Sequence, residues 1–135
     1  MARRKPDPVV DDTVQGVIGL PQPGGPLPRP HHADEKWWAL LAHLSFFVLP
    51  IILPLVLRST VGDDRPYARA NAVEALNFHL TLLVAVVLSL LLRSSVGAGM
   101  LAITILFGTA TTVLAAVAVL RTLGFRYPLA WRPVS

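Results

Sequence analysis

Three long runs along the chain carry no Asp, Glu, Lys or Arg: Trp37 to Leu57, Ala75 to Leu92 and Val96 to Leu120. Each is close to the roughly 20 apolar residues that a helix needs to cross a bilayer core of about 30 Å. A soluble core can hide one such run, but three within about 85 residues leave too little polar surface to cover them. The pattern therefore predicts an all-α membrane protein with three apolar helical segments, at about 37–57, 73–92 and 98–120. The first segment is interrupted: "LPIILP" places Pro50 and Pro54 four residues apart, and each proline removes a backbone donor. Two readings follow, a kinked span or a re-entrant hairpin, and the second requires other helices to cover its non-helical backbone.

Polar residues inside the second segment are ordered. The loop "RSTVGDDRPYARA" offers Asp63 or Asp64 as a cap, with Pro66 in the first helical turn. A helix from there to Arg93 would run about 42 Å and start in the head-group region. With Glu74 at 0°, Asn71, Asn77, Thr81 and Ser89 fall at about +60°, −60°, −20° and +60°, a single polar stripe, while His79 lies near 140° on another face. Glu74 reads as an interfacial carboxylate that keeps its water. Asn77, one turn deeper, is expected to hydrogen-bond a neighbouring helix, a contact of about 0.6 to 2 kcal/mol that serves as structural glue or as a functional site. His43 and His79 read as interfacial or packing residues. In the third segment Thr104, Gly108, Thr112 and Ala116 recur every four residues, a small-residue stripe that lets helix backbones approach. It is expected to pack on the second helix or on another copy. Trp37 and Trp38, and after the last segment Phe125, Tyr127 and Trp131, are candidate interface anchors.

Composition agrees with a membrane chain, with 53% hydrophobic and 15% charged residues against about 25% charged in soluble domains. Residues 1–33 differ: seven of the twelve prolines precede Lys36, and such a segment is expected to be a disordered tail ahead of a membrane domain over 34–135. Its basic start is followed by no apolar stretch, so it does not read as a secretory signal. The net charge of +4 is spread over tail and span flanks, which suits topology and anionic lipid and excludes a nucleic-acid face. Basic residues near the spans divide three against six if all three segments cross. A re-entrant first segment leaves eleven of the twelve on one side and Arg93 on the other. Both counts predict a cytoplasmic 58–70 loop and a cytoplasmic 121–135 carboxyl-terminal tail. Among candidate chemistries, Ser45, Ser59, Ser94 and Ser95 stand in no nucleophile motif, the chain has no cysteine, and "HHADE" at 31–35 is a poor metal set. No catalytic, cofactor or metal site is predicted, and the chain is not read as an enzyme.

The blocks "DEKWWALLAHLS" at 34–45, "LPLVLRS" at 53–59, "NAVEALNFHLTLL" at 71–83 and "FRYPLAWR" at 125–132 resemble the bacterial relatives of the twenty-kilodalton subunit of the chloroplast inner-envelope protein translocon. These are small membrane proteins whose domain carries no assigned function. The resemblance covers Asp34 to Ser135 and implies a compact helical membrane domain, with Glu74, Asn77 and Phe78 matching its hallmark. The chain departs from that family at His79, where Gln is usual, and between Phe46 and Leu53, where a longer Gly- or Asn-containing stretch is common. The expected function is a non-enzymatic, multi-pass inner-membrane protein acting by helix contacts in assembly or translocation of polypeptides. Its contact positions would be Glu74, Asn77, Phe78, His79, Thr81, Gly108 and Thr112, and its partners the bilayer, further copies or other membrane proteins. The alternative is a homo-oligomeric channel or transporter for ions or small solutes, with Glu74 and His79 at the mouth.

Overall fold

A computed structural model of the chain describes residues 27–92 and 94–134; the expected disordered tail lies outside these residues up to position 26. Among the described residues there are four α-helices and no strand: α1 (Glu35–Leu44), α2 (Ile52–Thr60), α3 (Pro66–Leu91) and α4 (Ser95–Leu120), with a 3₁₀ turn at Ser45–Phe47. Only α3 and α4, of 26 residues each, are long and apolar enough to cross a membrane. The expectation of three apolar spans is corrected here. The 37–57 segment breaks at residues 48–51 into two short helices of 10 and 9 residues, about 15 and 13 Å long, and neither can cross a bilayer.

Proline chemistry explains the break. Pro50 occupies the turn itself, and Pro54 falls in the first turn of α2, where the missing N–H has no helical partner to lose. The result is a short helical hairpin packed alongside α3. Its base is level with the start of α3, where the Glu35 carboxylate accepts from the Tyr67 and Ala68 N–H groups at 2.9 and 3.2 Å. Its bend lies level with His79, whose Nδ1 contacts the Pro50 carbonyl. Thirteen residues separate Pro66 from His79, a descent of about 20 Å.

Pro66 starts α3 at its first position, and Ser94 caps α4 by accepting from the Gly97 N–H at 3.4 Å. Only three residues join them, so they form an antiparallel pair. A Cβ at Gly97 would lie 2.4 Å from the Ser89 carbonyl oxygen, so the absence of a side chain is what lets the helices meet at this end. The hairpin packs mainly on α3 through small residues, with Ala42, Leu57, Ala72 and Ala75 buried together. From Tyr67 to His79 every α3 residue except Arg69 is buried, whereas from Leu83 onward most are exposed. Exposed Leu83, Val84, Val87, Leu88, Ile103 and Leu106 form the kind of continuous apolar surface that belongs in lipid.

After α4 the chain turns back and lies against α3 as an extended strap over 125–134. Leu129, with φ 62°, supplies the reversal that lets Tyr127 and Arg132 reach the same helix. A non-glycine residue in this region costs about 1 to 2 kcal/mol, which the strap's contacts must offset.

Candidate functional site

The polar stripe of α3 is the seat of this strap. Glu74, with its side chain 5% exposed, meets Arg132 Nη2 at 2.7 Å. It also accepts from the Tyr127 N–H at 2.9 Å and from Arg132 Nε at 3.3 Å. It therefore does not keep its water; protein donors replace it. Asn77 lies one turn on. Its Nδ2 donates to the Val134 carbonyl at 2.8 Å and its Oδ1 accepts from the Val134 N–H at 3.0 Å. This is the pairing that one strand offers another, made here by a side-chain amide with a backbone rather than with the neighbouring helix that was expected. Thr81 accepts from the Trp131 N–H at 2.9 Å while donating to the Asn77 carbonyl at 2.8 Å. Positions 74, 77 and 81 recur at the spacing that stacks side chains on one helix face, so a straight run of polar groups holds an extended backbone.

A second chain of hydrogen bonds runs through the top of the molecule, and its direction follows from its end. The Tyr67 carbonyl can only accept, so Asn71 Nδ2 donates to it at 2.8 Å, which leaves Asn71 Oδ1 as an acceptor. His43 Nε2 donates to that oxygen across 3.1 Å, and His43 Nδ1 accepts from the Tyr127 hydroxyl at 2.9 Å. A neutral imidazole with its proton on Nε2 satisfies every member. Glu35 is fully buried and closes the hairpin base, its Oε1 accepting from the His31 and His32 N–H groups at 2.7 and 3.0 Å.

The remaining predicted positions sit around this core. Phe78 is buried and stacks on Tyr127, ring centroids 3.8 Å apart and planes 8° from parallel. Tyr127, expected as an interface anchor, is instead 1% exposed; its hydroxyl is carried inward to His43 by the strap. Trp37, Trp38 and Trp131 are exposed. Burial pushes the Tyr127 phenol above its ordinary value, and the charge of Glu74 pushes the same way. His79 is buried and faces the hairpin bend through Nδ1, which must carry the proton because a carbonyl can only accept. This contact satisfies a carbonyl of the irregular backbone at the hairpin bend. Gly108 and Thr112 are buried, and a Cβ on Gly108 would approach Leu82 and Phe46 to 2.8 and 2.9 Å. The small-residue stripe thus packs on α3 and on the hairpin.

Glu35 and Arg132 also belong to this network and had no predicted role, while Asn71, expected in the polar stripe, and His43, expected as an interfacial or packing residue, join it without having been named as contact positions. For Arg132 a signal existed: a carboxylate in an apolar helix calls for a cation, and "FRYPLAWR" supplies two. Among the described residues no group of three or more His, Cys, Asp or Glu is placed to hold a metal ion. The described arrangement can hold a strap and seal a hairpin.

Residues 34–134 match the model of a family described as the magnetosome magnetite crystal formation protein family. No curated protein and no solved structure gave a match. The family match overturns the expected likeness to the plastid translocon subunit, because the blocks that carried it fall inside the matched stretch and belong to a family concerned with magnetite. The expected part in assembling or translocating polypeptides is corrected with it, and the channel alternative gains no support.

Proposed function

The chain belongs to the magnetosome magnetite crystal formation protein family, and from that premise we propose that it is an integral, non-enzymatic protein of the magnetosome membrane that contributes to forming the magnetite crystal. Two antiparallel helices of 26 residues with apolar outer faces support the membrane placement. The observation that carries the non-enzymatic reading is the engagement of Glu74, Asn77 and Thr81 by the chain's own strap. The polar groups of α3 that looked available for a solute or a partner are used in closing the fold. What such a molecule offers its surroundings is shape, apolar faces that suit lipid or other membrane proteins, and a basic end.

With a re-entrant hairpin, only Arg93 of the twelve Lys and Arg residues lies between the two long helices in sequence. That asymmetry favours a cytoplasmic 58–70 loop and carboxyl-terminal strap. The test is removal of the chain from cells that make magnetite, followed by electron microscopy of the crystals. A changed crystal size or number, restored by the wild-type chain, is the expected result. Crystals indistinguishable with and without the chain would refute the proposal.

A further inference from the structure

The cross-section of the molecule is unequal along its long axis. Over the first 20 Å or so of α3, from Pro66 to His79, the described chain includes α1, α2, α3, the end of α4 and the strap. The bend and the strap reach slightly further, to Thr81 where the Trp131 N–H is held and to Leu82, Leu83 and Val86 beside Pro50 and Ile51, and past these α3 and α4 continue to their three-residue turn. Half of a bilayer with its head groups is about 20 to 22 Å thick, so the hairpin is as deep as one leaflet. Its outer side chains suit lipid and not water: Val48, Ile52 and Phe47 are 77%, 59% and 56% exposed. The wide half is also braced. Glu35 ties the hairpin base to the start of α3, His79 holds the bend, and the Glu74–Arg132 pair fastens the strap.

We propose that this chain is a curvature-selective membrane wedge, whose hairpin and strap add area to the leaflet on the Pro66 side and so favour a bilayer in which that leaflet is convex. The inference rests on the membrane placement proposed above and not on the role in mineral formation. Its physical basis is differential affinity: a rigid body that occupies more area in one leaflet binds a bent bilayer better than a flat one, and populations follow that difference. The partner is the lipid bilayer itself, selected by shape.

The chain has no native cysteine, so single labels are specific. The full chain carrying Ser59→Cys, at the wide end, is labelled with a fluorophore and reconstituted into large and small unilamellar vesicles. An impermeant quencher then reports the fraction facing outward. The expected result is an outward-to-inward ratio about threefold higher in the small vesicles, because only the outward orientation puts the wide end in the convex leaflet. Val96→Cys, at the narrow end and 68% exposed, should show the opposite shift. An equal ratio in both vesicle sizes overturns the proposal, as does a shift toward the inward orientation. A chain that alkaline washing strips from the vesicles refutes the membrane placement as well.

Discussion

Glu74 occupies a position where a carboxylate survives only with company, on an apolar helix, with Phe78 and Leu76 buried beside it. Its partner Arg132 remains 35% exposed on its side chain, so the pair is screened on one side and sealed on the other. Removing only the carboxylate, by Glu74→Gln, should cost about 2 kcal/mol or more, because the guanidinium and the Tyr127 N–H lose their charged acceptor. Arg132→Met alone should cost a similar amount, and the double variant less than the sum. Urea denaturation of the detergent-solubilised chain, followed by circular dichroism, measures this cycle, and strict additivity would mean the pair is not coupled. Tyr127 gives a second test. Its phenol titrates above its ordinary value of 10.0, so the stability it contributes is complete below pH 10 and declines as pH rises beyond it. An ultraviolet titration should find it still protonated at pH 10, by difference from Tyr127→Phe, while alkali sufficient to ionise it unfolds the chain. At this scale the stripe of Asn71, Glu74, Asn77 and Thr81 was legible, because helical periodicity places those residues without reference to anything else. Apart from the cation that the Glu74 carboxylate calls for, the partners of Glu74, Asn77 and Thr81 were not, since residues 125–134 form no regular element and have no period to read. Tyr127 shows why: an aromatic residue shortly after a span looks like an anchor until the chain is seen to turn back.

Among the elements, the hairpin carries the most information. Pro50 and Pro54 announced an interruption, and the distribution of basic residues favoured a return to the starting side. What local sequence cannot decide is whether irregular backbone at depth will find cover, and here cover comes from His79, 29 positions away from Pro50. The spacing of Gly108 within a small-residue stripe was readable in the same way, but the stripe does not distinguish a close contact with backbone from one with a movable side chain. Gly97 and Gly108 therefore make a useful contrast. Alanine gains up to about 1 kcal/mol over glycine in helix propensity. At Gly108 the new methyl meets the ends of Leu82 and Phe46, which can shift, so Gly108→Ala should change stability little. At Gly97 it meets the Ser89 carbonyl at 2.4 Å, which cannot yield without separating α3 from α4. Gly97→Ala should be clearly destabilising despite its better propensity, and thermal melts of the two variants would show the difference. Equal melting temperatures would mean that the turn between the long helices can open.

For the whole molecule, the membrane placement proposed above, with α3 and α4 crossing and the hairpin returning to its starting side, predicts that the 58–65 loop and the strap share one side of the membrane and the turn between the long helices faces the other. Single cysteines at Ser59 and Leu129, the latter 86% exposed, should react with an impermeant reagent added to isolated intact magnetosomes, and Val96→Cys only after detergent has opened the membrane. Labelling of Ser59→Cys and Leu129→Cys from opposite faces would refute this topology. The strap has a further consequence, for timing. During synthesis α3 emerges and must enter the bilayer some fifty residues before Tyr127, Trp131, Arg132 and Val134 exist. Over that interval Glu74, Asn77 and Thr81 are in want of donors and acceptors that have not yet been translated. A chain that ends before residue 127 leaves the Glu74 carboxylate in an apolar helix without the Tyr127 and Arg132 donors that satisfy it in the complete fold. Completion of the strap is thus the step that gives the polar face of α3 its partners, so that face is satisfied only when residues 125–134 are in place.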